Sequence, residues 1–374
     1  MMKKAKKMNT ISTETLRNWL EEGHLVTVVD VRPQAERAEW SIPGSLHIDA
    51  YEALKAHDPA ALTSLTLPAD RPVITVCGAG KTSQIAAEQL AARGLQVYSL
   101  EGGMKAWSLA WNTAEIAVAG SAVQVIQVRR TGKGCLSYII GVEKEAFVID
   151  ASLDPQVYLD LACQHGWQIT SVFDTHIHAD HLSRTRQLAR QTGAKLFLPD
   201  QQRVSFPVTI IRDGETLATP HLMLTALHTP GHTPESTCYL LGSQVLFTGD
   251  TLFPRGVGRP DLHTTQEDAG IRAEALYHSL HKLLSLPAET VVLPGHSSQP
   301  VPFDGVPIRT TLALVDEHIE MLHLTRADFV RQLLNRLPAT PPNYDRIVTL
   351  NEAGLTPDHD VTDLEAGANR CAIS

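Results

Sequence analysis

The stretch Thr175-His176-Ile177-His178-Ala179-Asp180-His181 puts three imidazoles and one carboxylate within six consecutive residues. Neutral imidazole suits zinc and iron, and carboxylate suits harder, oxygen-preferring centres, so this combination points to a metal site. The preceding residues, Ile169-Thr170-Ser171-Val172-Phe173-Asp174, read as a buried strand. Leu182 to Gln191 then has helical spacing and stops near Gly193. The cluster therefore sits on a strand-to-helix loop, where side chains can converge. A lone histidine is more often a satisfied surface or core residue than a ligand, but this cluster is not alone. Further along come Thr229-Pro230-Gly231-His232-Thr233, Phe247-Thr248-Gly249-Asp250-Thr251 and Leu293-Pro294-Gly295-His296-Ser297. Each follows an apolar run and places a His or Asp at the end of an expected strand. Four such elements in order favour a metal centre over coincidence.

Composition sets the outer bounds. A chain of 374 residues is long enough for two or three domains with full cores. Its 43% hydrophobic and 20% charged content is that of a soluble globular protein. A net charge of −9 argues against nucleic acid as a partner. No stretch approaches the length of a transmembrane helix, so no membrane partner is expected. Cys77, Cys135, Cys163, Cys238 and Cys371 are odd in number and lack CxxC spacing, which points to a reducing cytoplasm rather than a disulfide framework. Cys135, Cys163 and Cys238 read as core residues; Cys371 reads as an exposed thiol or one without a role. The basic leader Met1 to Met8 resembles the start of a signal peptide, but no apolar segment follows. It is expected to be a disordered tail, with Met8 as an alternative initiator. The sequence leaves a homo-oligomer open.

The first hundred residues alternate between strand and helix patterns. Leu25 to Val29, Val73 to Val76 and Gln96 to Leu100 read as strands, and Ser83 to Arg93 as a helix closed by Gly94. Such alternation implies an α/β domain with a mostly parallel sheet. Residues 113–121 are rich in small side chains and read as a linker. From Val123 the pattern changes to strands joined by hairpins. The expected division is thus a first domain over 9–112 and a second over 122–374.

Within the first domain, Cys77 ends a strand and precedes Gly78-Ala79-Gly80-Lys81-Thr82-Ser83 and a helix. A loop this rich in glycine can turn its N–H groups inward, and the helix start adds positive potential. A thiol placed there is expected to exist partly as thiolate, with Lys81 as a further cation toward an anionic substrate. The bland alternative is a buried cysteine at a strand end. Gly80-Lys81-Thr82 also invites a P-loop reading, but that motif needs glycine where Thr75 stands.

Other motifs in this domain are Asp30-Val31-Arg32 with Glu36, Ile42-Pro43-Gly44-Ser45-Leu46-His47-Ile48 and Leu100-Glu101-Gly102-Gly103-Met104-Lys105-Ala106-Trp107. Together with the Cys77 loop they resemble a single rhodanese domain over residues 9–112. The resemblance implies that Cys77 carries sulfane sulfur as a persulfide, with Gly78 and Gly80 in the substrate-binding loop.

From about Ala122 onward the chain resembles the metallo-β-lactamase superfamily, which implies a four-layer αββα fold. By that resemblance His176, His178 and His232 form one metal site, Asp180, His181 and His296 form a second, and Asp250 bridges them. All seven positions are filled, so the ligand inventory leaves one metal or two open. Phe253-Pro254-Arg255-Gly256-Val257-Gly258-Arg259-Pro260-Asp261 and Pro341-Pro342-Asn343-Tyr344-Asp345-Arg346-Ile347 with Asn351 resemble the persulfide dioxygenase branch rather than glyoxalase II. That branch implies one Fe(II) per chain held by His176, His232 and Asp250. His178, Asp180, His181 and His296 would then orient ligands and water around it. Arg259 and Arg255 would bind substrate carboxylates or phosphates, the alternative for Arg259 being a structural pair with Asp261. The chain departs from the branch at Ser297-Ser298, where relatives often carry Asp-Tyr, so carriers of both glutathione and coenzyme A type stay open. The implied reaction turns RSSH, O2 and water into RSH and sulfite, with thiosulfate or sulfite as partners of Cys77. The rival enzyme reading is a dinuclear zinc thioesterase of glyoxalase II type with two Zn ions.

Overall fold

The computed structural model describes residues 9–357, 360–367 and 369–373. The basic leader, residues 1–8, lies outside the described residues.

The first domain is a five-stranded parallel sheet in the order Thr10–Ile11, Val97–Leu100, Val73–Val76, Thr27–Asp30, Leu46–His47. Val73–Val76 lies at its centre and is buried throughout, as a β-branched run between covered faces should be, with its one hydroxyl, on Thr75, donating to the Ser83 carbonyl. Helix Thr82–Ala92 lays Ala86, Ala87 and Leu90 on Val73, Cys77 and Val97. The small alanines let the helix approach the sheet closely. Helix Thr13–Glu21 starts where Ser12 accepts the N–H of Thr15 with its side chain, an N-cap bond.

The second domain stacks two sheets. One has seven strands, running from Thr209–Ile211 through Lys195–Pro199, Gln168–Phe173, Glu145–Ile149, Leu136–Val142 and Gln124–Arg129 to Asn112–Ala117. The other has six, from Thr216–Ala218 through Met223–His228, Thr237–Leu241, Val245–Gly249 and Val291–Pro294 to Thr310–Thr311. Tyr138, Phe147 and Phe173 of the first meet Leu224, Tyr239 and Phe247 of the second in one core. The rings of Tyr138 and Phe247 cross edge-on at 4.9 Å, and each such buried aromatic contributes about 1.5–3 kcal/mol. Helices Pro155–Gln164 and Thr185–Thr192 pack on the outer face of the seven-stranded sheet. Gln266–Leu284 and Arg326–Asn335 pack on the other. The result is the expected four-layer αββα arrangement. No helix among the described residues is long and apolar enough to cross a membrane.

The segment expected to be a linker is different. Asn112–Ala117 pairs antiparallel with Gln124–Arg129 along its whole length and forms the edge strand of the seven-stranded sheet. Ala114 and Ile116 point inward, a two-residue period that small-residue composition concealed. The chain thus passes from one domain into the other without a free spacer. The domains also touch directly: Trp40 Nε1 donates to the Thr131 carbonyl at 3.1 Å, and Lys105 pairs with Asp363.

Candidate metal centre and the Cys77 site

The ligand-bearing loops leave the same end of the two stacked sheets. Gln168–Phe173 leads to His176, His178, Asp180 and His181. His232 follows Met223–His228, Asp250 follows Val245–Gly249, and His296 follows Val291–Pro294. Glycine makes their close approach possible. Gly249 has φ +49°, and a Cβ there would lie 2.5 Å from Thr175 Oγ1. A Cβ on Gly295 would lie 2.7 Å from Asp250 Oδ1.

His176, His232 and Asp250 bring one ligand atom each within 4.8 Å of one another, all buried. His176 Nε2 lies 3.9 Å and His232 Nε2 3.6 Å from Asp250 Oδ2. The hydrogen bonds fix which ring nitrogens are bare. Thr175 Oγ1 donates to Asp150 Oδ2 at 2.9 Å, so it accepts from His176 Nδ1, also at 2.9 Å. His232 Nδ1 donates to the Arg259 carbonyl at 2.8 Å. Each imidazole therefore turns the lone pair of Nε2 toward Asp250. Neither His176 Nε2 nor Asp250 Oδ2 has a hydrogen-bond partner, an expensive state for buried polar atoms. Burial, and then the neighbouring His178, hold the His176 pKa well below its ordinary value, which favours the neutral form a metal requires. These three residues fit a metal ion.

The other four expected site residues are bonded differently. His296 spans two carboxylates, with Nδ1 on Asp250 Oδ1 and Nε2 on Asp180 Oδ2 at 2.7 Å. Burial alone would lower its pKa, but Asp180 and Asp250 raise it well above the ordinary value. Asp180 Oδ1 lies 3.1 Å from His181 Nδ1, and its Oδ2 also accepts from Asn369 Nδ2 at 3.0 Å and faces the Cys135 thiol at 3.4 Å. His178 Nε2 lies 3.1 Å from Asp150 Oδ1. The Nδ1 of His178 and the Nε2 of His181 stay unpaired.

Several partners were absent from the sequence reading. Asp150 anchors Thr175 and His178; its signal was an apolar strand, Glu145–Ile149, ending in Asp, the pattern that marked Asp250. Asn351, read only as part of a distant motif, donates to the carbonyls of His178 and His181 at 2.8 and 2.9 Å and so staples the ligand loop. Cys135 is buried as expected, yet it faces Asp180; burial and Asp180 raise its pKa, but His181 and His296 outweigh them and bring it down to about 7. Cys163 is exposed rather than in the core. Cys371 is buried rather than exposed, and groups with Asp250 and His296.

The expectation for Arg259 is corrected. Its buried guanidinium makes a two-pronged pair with Asp261, at 2.8 Å for both bonds, and donates to the carbonyls of Ala339, Arg370 and Pro338. Every nitrogen is engaged, which leaves no fork for a substrate carboxylate. Arg255 is exposed in the turn between Leu252–Phe253 and Gly256–Gly258.

In the first domain, Cys77 is buried at the floor of a cavity of about 440 Å³ that Gly78 and Lys81 help to line. Its Sγ lies 3.4 Å from Ser83 Oγ, which meets Ser99 Oγ at 2.9 Å. Gly80, at φ +80°, packs against Gly102, and Gly103, at φ +58°, leaves only 2.2 Å between an added Cβ and the Cys77 carbonyl. Lys105 N–H donates to the Gly78 carbonyl at 3.0 Å, which pins the loop. Arg32 lines the cavity but is tied to Asp30 at 2.7 Å. Gly132, Ala366 and Gly367 of the second domain complete the wall.

Comparison with known proteins agrees with this architecture. Residues 12–110 match the rhodanese-like domain model, and residues 130–296 match that of the metallo-beta-lactamase superfamily. A hydroxyacylglutathione hydrolase of Rhizobium johnstonii is 34% identical over 151 residues, covering 40% of this chain and 56% of the relative. That of Maricaulis maris is 34% identical over 146 residues, covering 38% and 54%. The chain thus spans about half the length of the curated relatives it matches. Among solved structures, a metallo-beta-lactamase from Staphylococcus aureus superposes with a TM-score of 0.57 at 29% identity, over 63% of this chain and 74% of that one. ETHE1 from Myxococcus xanthus gives 0.52 at 30% identity, over 65% and 99%. The chain is a rhodanese domain followed by a metallo-β-lactamase fold.

Proposed function

We propose that the metal centre oxidises a low-molecular-weight thiol persulfide, of glutathione or coenzyme A type, with O2 to sulfite and thiol. Cys77 carries sulfane sulfur as a persulfide and exchanges it with thiosulfate or sulfite. One observation carries the single-metal reading: His296 Nε2 is bonded to Asp180 Oδ2 while its Nδ1 serves Asp250, so a second metal ion on Nε2 would have to displace the Asp180 contact. His176, His232 and Asp250 together present two imidazoles and one carboxylate to a common point, a combination suited to non-haem iron with open positions. Fe(II) held by His176, His232 and Asp250 would mediate electron transfer to O2, the four electrons coming from the persulfide itself.

The chain supplies geometry. Asp150 and Thr175 fix the His176 ring, the Arg259 carbonyl fixes His232, and His296 fixes Asp250. Asn351 holds the loop that carries three of the histidines. Five free cysteines accord with a reducing cytoplasm as its setting. The similarity to ETHE1 supports this reading.

A dinuclear zinc thioesterase is the second reading. The similarity to hydroxyacylglutathione hydrolases supports it, as do the unpaired His178 Nδ1 and His181 Nε2. Protein purified without oxygen separates the two. About one iron per chain, with O2 uptake driven by a thiol persulfide, is expected. About two zinc ions and hydrolysis of a hydroxyacylglutathione would overturn the dioxygenase.

A further inference from the structure

Asn369, a further polar side chain at the metal centre, comes from none of the ligand motifs. Asn369 is buried, and both ends of its amide are fixed. Its Oδ1 accepts the N–H of Cys371 at 3.0 Å, so the other end is the donor, and Nδ2 reaches Asp180 Oδ2 at 3.0 Å. From there the contacts run in series. Asp180 Oδ2 meets His296 Nε2, and His296 Nδ1 meets Asp250 Oδ1. The remaining oxygen of Asp250, Oδ2, is the one that faces His176 and His232. Asn369 is thus the outermost member of a hydrogen-bonded row ending on a metal-binding carboxylate.

The chemistry of the amide suits that position. Asp180 already serves His181 and His296, and an arginine or lysine beside it would compete with both for its oxygens. An amide N–H fixes the carboxylate without adding a charge. The local chain is itself well anchored. Glu365 pairs with Arg130 at 2.7 Å and Arg184 at 3.4 Å, and accepts the N–H of Leu182 at 2.8 Å. The Cys371 carbonyl accepts the N–H of Arg259 at 3.0 Å, and Ala372–Ile373 pairs with Gly256–Gly258. Asn369 therefore stands between two anchored points, Glu365 and Cys371, as a group that orients its neighbours must.

We infer that Asn369 is a positioning residue for the metal centre: through Asp180 and His296 it sets the direction in which Asp250 presents Oδ2. This holds for iron or zinc alike, so it does not depend on the reaction proposed above.

The test uses the full chain stripped of metal and titrated with cobalt(II), whose visible bands report ligand geometry. Asn369→Ala removes the amide. Asn369→Asp keeps the shape and the acceptor for the Cys371 N–H but loses the donor to Asp180. Arg370→Gln, whose guanidinium meets Glu39 at 3.0 Å, perturbs the same stretch without touching the row. Both Asn369 variants should bind cobalt about 10–100-fold more weakly in competition with a chelator, with shifted bands. Arg370→Gln should match the unaltered protein. Unchanged affinity and bands in Asn369→Asp would overturn the inference. So would an equal loss in all three variants with unshifted bands and lower melting temperatures, or failure of both Asn369 variants to fold, since the residue would then be structural only.

Discussion

The Nε2 of His296 lies 2.7 Å from Oδ2 of Asp180, so a residue that could ligate a second metal is instead bonded to another candidate ligand. Metal stoichiometry should therefore be one per chain. His296→Gln cannot serve both carboxylates and should weaken metal binding about 10–100-fold without changing that stoichiometry. Elemental analysis with chelator competition decides this. Two metals in the unaltered protein and one in the variant would make His296 a ligand.

Arg259→Met should damage stability rather than substrate choice. It leaves Asp261 and three carbonyls without their donor. The loss should be about 3 kcal/mol, the low end for a broken buried pair, because Asp261 keeps some contact with water. Urea denaturation measures it. A loss confined to anionic substrates, with unchanged stability, would restore the substrate-binding role.

Cys77→Ser should abolish sulfur transfer from thiosulfate, because a hydroxyl cannot carry the persulfide, while metal content stays unchanged. In the unaltered protein, an alkylating reagent should modify exposed Cys163 first. Cys77 should follow through its cavity and, after prior loading with thiosulfate, should carry the alkyl group on an added sulfur. Mass spectrometry of the peptides reports both. Undiminished transfer by Cys77→Ser would move the chemistry to another thiol.

Cys238 provides a pH dependence. Burial raises its thiol from 9.0 to about 11. The unfolded thiol ionises first, so the contribution is complete below pH 9 and is lost as pH rises toward 11. The loss should amount to roughly 2–3 kcal/mol over that interval. Cys238→Val, with nothing to ionise there, should show a correspondingly shallower decline in denaturation free energy. Parallel curves for the two proteins would show that Cys238 does not titrate in this way.

Much of the centre was legible because its chemistry is local in sequence. His176, His178, Asp180 and His181 share one loop, and the other ligands each follow an apolar strand, a pattern that periodicity exposes. The pair of Arg259 with Asp261 was legible as an alternative, but its carbonyl partners and the roles of Cys371 and Asn369 were not. Arg259 is satisfied by carbonyls at 338, 339 and 370, and Asn369 meets Asp180 across 189 positions. No spacing rule reaches that far. The edge strand Asn112–Ala117 was hidden for another reason: its small residues look like a spacer until Gln124–Arg129 pairs with them.

The stretch that contributes Ala366 and Gly367 to the Cys77 cavity also contributes Asn369 and Cys371 to the metal centre. Both sites thus depend on residues that leave the ribosome after every other part of either one. A growing chain has made Cys77 and all seven metal-centre residues before it can wall the first or brace the second. Timing of synthesis alone keeps a half-made molecule from having either site finished, and both are completed together.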